Sequence, residues 1–533
     1  MNRVIKPLSI ALTVAFASGG ALASPLPSIA TQKGNHALMV DGKPYLLLGA
    51  QVNNSSAWPA MLGEVWPAIE QVHANTVLVP MAWEQVEPRE GSFDFSFMDT
   101  LVNQARQHHV HLVLLWFATW KNNSPNYAPS WVKLDNNRFP RVVTAQGKLL
   151  NSLSPHATAT READTRAFVA MMTHLKKIDG DQHTVIMVQV ENESGTYGTD
   201  RDHSPAADKL FAGSVPAALL QKTGKPAGSW RKVFGGEADE MFHAWSVASF
   251  IGEVARAGKT VYALPMYANV ALRDPFKPGP AGSYASGGPT DNVLDVWKAA
   301  APALDILAPD IYMPESAKVN AVLDRYRRDD NPLYVAEIGN ATLYARYAFA
   351  TFGRGGIGFA PFGMDFTGYS NYPLGARKVD DETLGAFGAV NALLGSFGEQ
   401  LAGLALQGKT WGAAEPDDSH ESELDLGAWR VHVGYGQAQF GVKPPEGNPT
   451  PSGGVVIAQL AKDEYLVTGF RARVNFYPGK DDPHRRFLLD RVEEGHYENG
   501  QWVFRRLWNG DQTDYGLTFT SAPQLLRIKL ATY

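Results

Sequence analysis

Up to about residue 398, short apolar runs alternate with stretches whose apolar positions recur every three or four residues. Tyr45 to Ala50, Thr76 to Val79, His111 to Phe117, the run from about Thr184 to Val190, Val261 to Met266, Leu304 to Ala308, Leu333 to Ala336 and Gly355 to Ala360 read as eight strands. Between them, Met61 to His73 carries Leu62, Val65, Trp66, Ile69 and Val72 on one face, the spacing of an amphipathic helix. Met98, Leu101, Val102 and Ala105 mark another helix, and Phe168 to Leu175 a third, stopped by the turn Asp179-Gly180-Asp181. Strands alternating with helices predict a parallel sheet with helices outside, here an α/β fold of the (β/α)8 TIM barrel type. The stretch from Thr199 to Lys259 is longer than one barrel loop needs, and Asp208 to Thr223 and Glu237 to Ala257 read as helices that wall the pocket or pad the barrel.

From about residue 400 the period shortens. Trp429 to Phe440, Gly453 to Leu460, Tyr465 to Phe476, Gln501 to Leu507 and Leu525 to Leu530 are short segments separated by Gly, Pro, Asn and Asp. Within them Phe470, Ala472, Val474 and Phe476 alternate with Arg471, Arg473 and Asn475, the period of half-buried strands. Glu498-Asn499-Gly500-Gln501 is a hairpin signal. The expected division is a leader over 1–23, a catalytic barrel over 24–398 and a smaller antiparallel β-sandwich over 399–533, which braces the barrel or binds polysaccharide.

At the start, Arg3 and Lys6 precede the apolar run Leu8 to Ala17 and the small-x-small site Ala21-Leu22-Ala23, the three regions of an export signal. The apolar run is too short to span a membrane, so the expectation is an exported, periplasmic or secreted chain. With no Cys, neither a lipid anchor at a lipobox nor a disulfide can form, and the fold rests on its core. A net charge of −6 gives no sign of nucleic acid or anionic membrane as a partner.

The chemistry gathers at two strand ends. Val188 to Gly198 reads VQVENESGTYG, a buried strand running out into Glu191, Asn192 and Glu193. Asn331 to Asn340, NPLYVAEIGN, repeats the layout with Glu337 at the end of its strand. Catalytic groups of a parallel barrel sit at the carboxyl ends of the strands. Two such carboxylates facing each other at about 5–5.5 Å are what retaining glycoside hydrolysis requires.

These residues resemble a family. VQVENESGTYG resembles the acid/base motif of glycoside hydrolase family 35, a β-galactosidase family of barrel glycosidases. The resemblance implies that Glu193 is the acid/base, that Glu337 is the nucleophile, and that the substrate is a carbohydrate. Trp83 to Phe95, WEQVEPREGSFDF, resembles the family's second-strand segment, and Ala128 to Trp131 echoes a Leu-Pro-x-Trp. The likeness runs in scattered blocks over residues 36 to 395. It departs at Trp83-Glu84, where the family carries Trp-Asn, and at Leu115 to Asn122, which makes Glu84 a candidate for altered sugar choice.

Other candidates for the sugar pocket are Asn192, facing a sugar hydroxyl, Gln51 and Asn53 after the first strand, Tyr267 after the fifth, Phe362 after the eighth, Trp83, and Tyr312 after the sixth, whose hydroxyl can donate to the nucleophile or simply cap the core. Trp116, Trp120 and Trp131 near the third strand's end offer one stacking platform among them. His108, His109 and His111 do not have zinc spacing and fit a helix carboxyl end, and Gly353 to Gly358 reads as a tightly packed strand rather than a phosphate loop. The expected mechanism uses no metal and no organic cofactor. The reading is an exported retaining exo-β-galactosidase acting on plant-wall oligosaccharides such as xyloglucan fragments; a β-glucosidase, an arabinopyranosidase and a non-catalytic carbohydrate-binding barrel remain as alternatives.

Overall fold

The computed structural model describes residues 24–533; the leader expected over 1–23 lies outside the described residues. Eight parallel strands close into a barrel in chain order: Leu47–Gln51, Thr76–Ala82, His111–Lys121, Val185–Asn192, Met266–Ala271, Ile306–Ile311, Tyr334–Ile338 and Gly358–Pro361. All eight are buried almost throughout, because helices cover the outside and side chains fill the inside. Leu47, Leu78, Val113, Leu115, Ile186, Tyr267, Ile306 and Tyr334 form that interior. Glycine is demanded where the ring closes: a Cβ on Gly358 would stand 2.9 Å from both Leu47 and Tyr334. The glycine run is thus packing, as its sequence suggests, with Gly353 ending the helix Tyr347–Gly353.

Ahead of the barrel, Ser28–Gln32, Asn35–Val40 and Lys43–Tyr45 make a small antiparallel sheet. Its Leu38 and Val40 join the barrel interior and plug the floor. The helix Gly398–Leu406 packs against this sheet.

The fifth strand lies further along than the apolar run Val261 to Met266 implies. Val261 is the last residue of the helix Ala238–Val261, and the strand begins only at Met266. The helix expected over Asp208 to Thr223 is two, Pro205–Phe211 and Ala217–Thr223, separated by Gly213 and Pro216. Of the two roles open to this excursion the structure shows padding: Ala238–Val261 packs against Thr158–Asp179, and no residue of 205–261 lines the cavity at the strand ends.

After residue 406 two antiparallel sheets face each other. One orders Thr410–Ala414, Gly454–Ala461, Glu464–Phe470, Leu525–Thr532, Phe487–Glu498 and Gln501–Leu507; the other Glu421–Asp425, Trp429–Tyr435, Ala472–Pro478 and Leu517–Phe519. Trp429, Val431, Tyr435, Ile457, Tyr465, Val474 and Ile528 fill the space between them. The alternating segment Tyr465 to Phe476 is two strands. At Arg471, with φ +50°, the chain leaves one sheet and joins the other, so Phe470 pairs with Gly454 while Ala472 pairs with Tyr435. The hairpin at Asn499-Gly500 is present, both residues having positive φ. Thr410–Ala414 packs on Tyr347–Gly353 so closely that a Cβ on Gly353 would lie 2.1 Å from the Gly412 nitrogen. Arg346, itself buried, reaches across to Asp417 and the Pro451 carbonyl, 2.6 Å each.

Candidate active site

The carboxyl ends of the barrel strands surround a cavity of about 790 Å³, a common size for a small-ligand pocket. Glu193 and Glu337 both line it. Glu337 is carried on the seventh strand, and Glu193 arrives because the fourth strand ends in an abrupt turn: Glu191 and Glu193 hold φ +63° and +46°, a region that residues with a Cβ rarely occupy. The turn is held from two sides. The Glu193 N–H donates to Asn269 Oδ1 at 3.0 Å, and the Glu191 carboxyl accepts from the backbone N–H of Thr119 (3.2 Å) and Trp120 (2.7 Å) at the end of the third strand.

Glu191 faces away from the cavity toward Asp164, on the helix Thr158–Asp179. Both are buried. Asp164 accepts from Trp116 Nε1 (2.9 Å) and Thr119 Oγ1 (2.5 Å). Burial pushes the pKa of both carboxyls up, and at Glu191 the neighbouring Asp164 charge adds to it. The pair is a support under the Glu-Asn-Glu turn.

Glu337 accepts three side-chain hydrogen bonds in the cavity. Its Oε2 accepts from the Tyr312 hydroxyl at 2.7 Å; its Oε1 accepts from Gln51 Nε2 at 2.9 Å and Asn192 Nδ2 at 3.3 Å. Of the two roles open to Tyr312, donation to the carboxylate is the one seen. Glu193 has the opposite environment. Burial pushes its pKa up to about 7; the Lys121 ammonium opposes this, and the Glu337 charge adds to it. Desolvation thus leads, and repulsion by Glu337 is the lesser part. One oxygen of each of Glu193, Glu337 and a third carboxyl, Asp310, lies within 4.8 Å of the others.

Among the remaining sequence candidates, Asn53 and Phe362 line the cavity. Asn53 is fixed by Asp365, which accepts from its N–H and its amide at 2.7 Å each. Four candidates stand elsewhere. Trp83 is fully buried, edge-on to Trp131 and bonded to Glu87 (2.8 Å). Trp116 is fully buried against Asp164. Tyr267 lies inside the barrel, edge-on to Tyr334. Glu84 pairs with Lys133 at 2.8 Å outside the cavity. Trp120, bonded to the Leu153 carbonyl, and Trp131 likewise pack rather than present a face, so the third strand supplies no tryptophan platform. Aromatic rings do line the cavity, but besides Tyr312 and Phe362 they are Tyr127, Tyr197 and Tyr369.

Asp310, Lys121 and Asn269 are the residues at this site that pattern reading missed. Asp310 and Asn269 sit one or two positions before the end of their strands, at inward-facing registers opposite Glu337 and Ala308. A carboxylate in the apolar run Ile306 to Ile311 was the available signal. Lys121 is buried at the end of the third strand, over the Phe117 ring and donating to Asn122.

Two glutamates facing each other from the ends of the fourth and seventh strands of a parallel barrel are the kind of carboxyl pair that glycoside hydrolysis employs. Residues 58–249, which include Glu193, match the model of glycoside hydrolase family 42, described as "Beta-galactosidase". Residues 387–520 match a family described as a domain of unknown function (DUF5597). A β-galactosidase of Xanthomonas manihotis is 26% identical over 232 residues, 42% of this chain and 36% of that protein, so the match spans about a third of the relative's length. Similar solved structures include β-galactosidases from Bacillus circulans sp. alkalophilus (13% identity, TM-score 0.48, 67% of this chain and 57% of that one) and Rahnella sp. R3 (16%, 0.48, 70% and 59%).

Proposed function

We propose that the protein is a retaining exo-β-galactosidase, with Glu337 as nucleophile and Glu193 as acid and then base. The observation that carries this reading is the contrast between two facing carboxyls. Glu337 accepts three hydrogen bonds that only its ionised form can fully use, while burial holds Glu193 protonated up to about pH 7. Their separation, within 4.8 Å between the nearest oxygens, leaves no room for a water in line and suits direct attack.

In the first half-reaction Glu337 attacks the anomeric carbon and Glu193 gives its proton to the leaving oxygen. In the second, the Glu337 charge has vanished into the ester, the acidity of Glu193 rises by the part that charge contributed, and Glu193 takes a proton from the attacking water. Asn192 is placed beside both groups to hold the sugar hydroxyl next to the anomeric carbon. Family 35, by the Glu-Asn-Glu motif, and family 42, by the matched model, both support galactose as the sugar. Export through residues 1–23 and galactose side chains of xyloglucan fragments as substrate belong to the same proposal, by analogy with wall-degrading glycosidases.

The test is initial rates on aryl glycosides bearing β-galactosyl, β-glucosyl, α-arabinopyranosyl and β-xylosyl groups, with Glu337→Gln as control. Leading β-galactosidase activity that the substitution abolishes upholds the reading. Another leading sugar redirects the specificity, and no turnover of any glycoside leaves a binding barrel.

A further inference from the structure

Asp310 is a third carboxyl in a site whose chemistry uses two. It is 2% exposed, near the end of the sixth strand, paired in register with Glu337 on the seventh. Its Oδ2 accepts from Asn269 Nδ2 at 2.8 Å, and Asn269 turns its Oδ1 to the Glu193 backbone N–H, so the amide orientation is fixed from both ends. The remaining oxygen, Oδ1, is buried and receives no hydrogen bond from any N–H or O–H donor among the described residues. An oxygen of Asp310 lies within 4.8 Å of one of Glu193 and one of Glu337, and the Asp310 and Glu193 carboxyls are in hydrogen-bonding contact. Two carboxyls can make that contact only with a proton between them.

The charges around Asp310 favour its keeping that proton. Glu193 and Glu337 face it from the fourth and seventh strands, and the tyrosines 267, 312, 326 and 334 from the fifth and sixth strands, the following helix and the seventh strand supply no charge at neutral pH. Lys121, from the third strand, is a cation that opposes this. Burial, with the charges of both glutamates, drives Asp310 well above the ordinary carboxyl range.

Resting on the glycosidase reading of this site, we propose that Asp310 is a permanently protonated carboxyl that donates its O–H to Glu193 and stabilises the carboxylate formed when Glu193 protonates the leaving group. The proton on Asp310 is not consumed. Glu193 loses its own proton to the glycosidic oxygen, accepts the Asp310 hydrogen bond while charged, and regains a proton from the water that attacks the ester. Asp310 thereby lowers the barrier to acid catalysis in a buried site that otherwise opposes a second negative charge.

Asp310→Asn and Asp310→Ala separate this role from a structural one. The asparagine can still accept from Asn269 and present an N–H to Glu193; the alanine removes the donor. Expected kcat/KM for Asp310→Asn lies within about ten-fold of the parent, with the alkaline limb of the pH profile unmoved. Loss of an ionised neighbour would instead shift that limb down by about a unit or more, and such a shift overturns the proposal. Asp310→Ala should lose about a hundred-fold on a phenyl galactoside, whose leaving group needs a proton, and little on a dinitrophenyl galactoside, which leaves unaided. Equal losses on both substrates overturn it. Infrared difference spectra of the parent against Asp310→Asn at neutral pH need no turnover: a protonated-carboxyl stretch missing in the variant supports the assignment, and its absence from the parent refutes it. If the parent cleaves no galactoside, the glycosidase reading fails, and the infrared band still decides where the proton resides.

Discussion

Replacing Tyr312 with Phe isolates one hydrogen bond on the nucleophile. The Tyr312 hydroxyl is the sole protein donor to Glu337 Oε2 among the described residues, at 2.7 Å, whereas Oε1 has both Gln51 and Asn192. A hydrogen bond to a charged group in a buried setting is worth about 1.5–3 kcal/mol, and each 1.36 kcal/mol is ten-fold in rate. Tyr312→Phe should therefore lower kcat/KM on an aryl galactoside by about 10–150-fold. Gln51→Leu, which leaves Asn192 on the same oxygen, should lose less. The loss arises in formation of the glycosyl-enzyme, so it should appear in the rate at which a slow fluorosugar inactivates the protein as well as in turnover. Far-ultraviolet circular dichroism and the unfolding midpoint serve as the folding control. A loss under three-fold in a folded Tyr312→Phe protein, or a larger loss from Gln51→Leu, would refute the assignment of Tyr312 as the main donor to an ionised Glu337.

The alkaline limb of kcat/KM should fall near pH 7, where Glu193 loses its proton, and Lys121→Met, by removing the cation that opposes the upward shift, should move it higher by about one unit in a pH-rate series. Glu191 and Asp164 are held above the carboxyl range, so the folded state binds more protons than the unfolded chain once pH exceeds the ordinary carboxyl value. Their contribution to stability is fully present below that value and declines by about 1.4 kcal/mol per pH unit per proton as pH rises toward the folded values; urea unfolding against pH should show this slope, and Glu191→Gln should flatten it. Gly353→Ala forces a methyl into the Gly412 backbone and should cost about 1–3 kcal/mol in urea unfolding while leaving kcat/KM close to the parent's.

The barrel was readable because its strands are continuous apolar runs that end in polar residues, a pattern that burial on both faces imposes. The two glutamates were readable for the same reason, since each directly follows such a run. What stayed hidden depends on direction rather than on composition. Trp83 and Trp116 stand near strand ends as a sugar platform would, and only the fold shows their rings turned into the core toward Glu87 and Asp164. Asp310 lies before its strand ends, so it reads as part of the exit loop although it points inward. Val261 closes a helix with the same apolar residues that could open a strand, which displaced the fifth strand. At Arg471 the alternation carries on unbroken while the chain changes sheets, because the half-turn at positive φ keeps the same side inward.

The plug formed by Leu38 and Val40 has a consequence for the order of assembly. Residues 28–45 precede every barrel strand, yet the floor they fill is bounded by all sides of the ring and backed by Gly398–Leu406 from beyond its last strand. This segment therefore has no finished seat until some three hundred and fifty later residues have folded around it, a loop closure of very long range that slows the final step. During that interval the apolar side of this small sheet is left uncovered, the kind of exposed surface that chaperones bind.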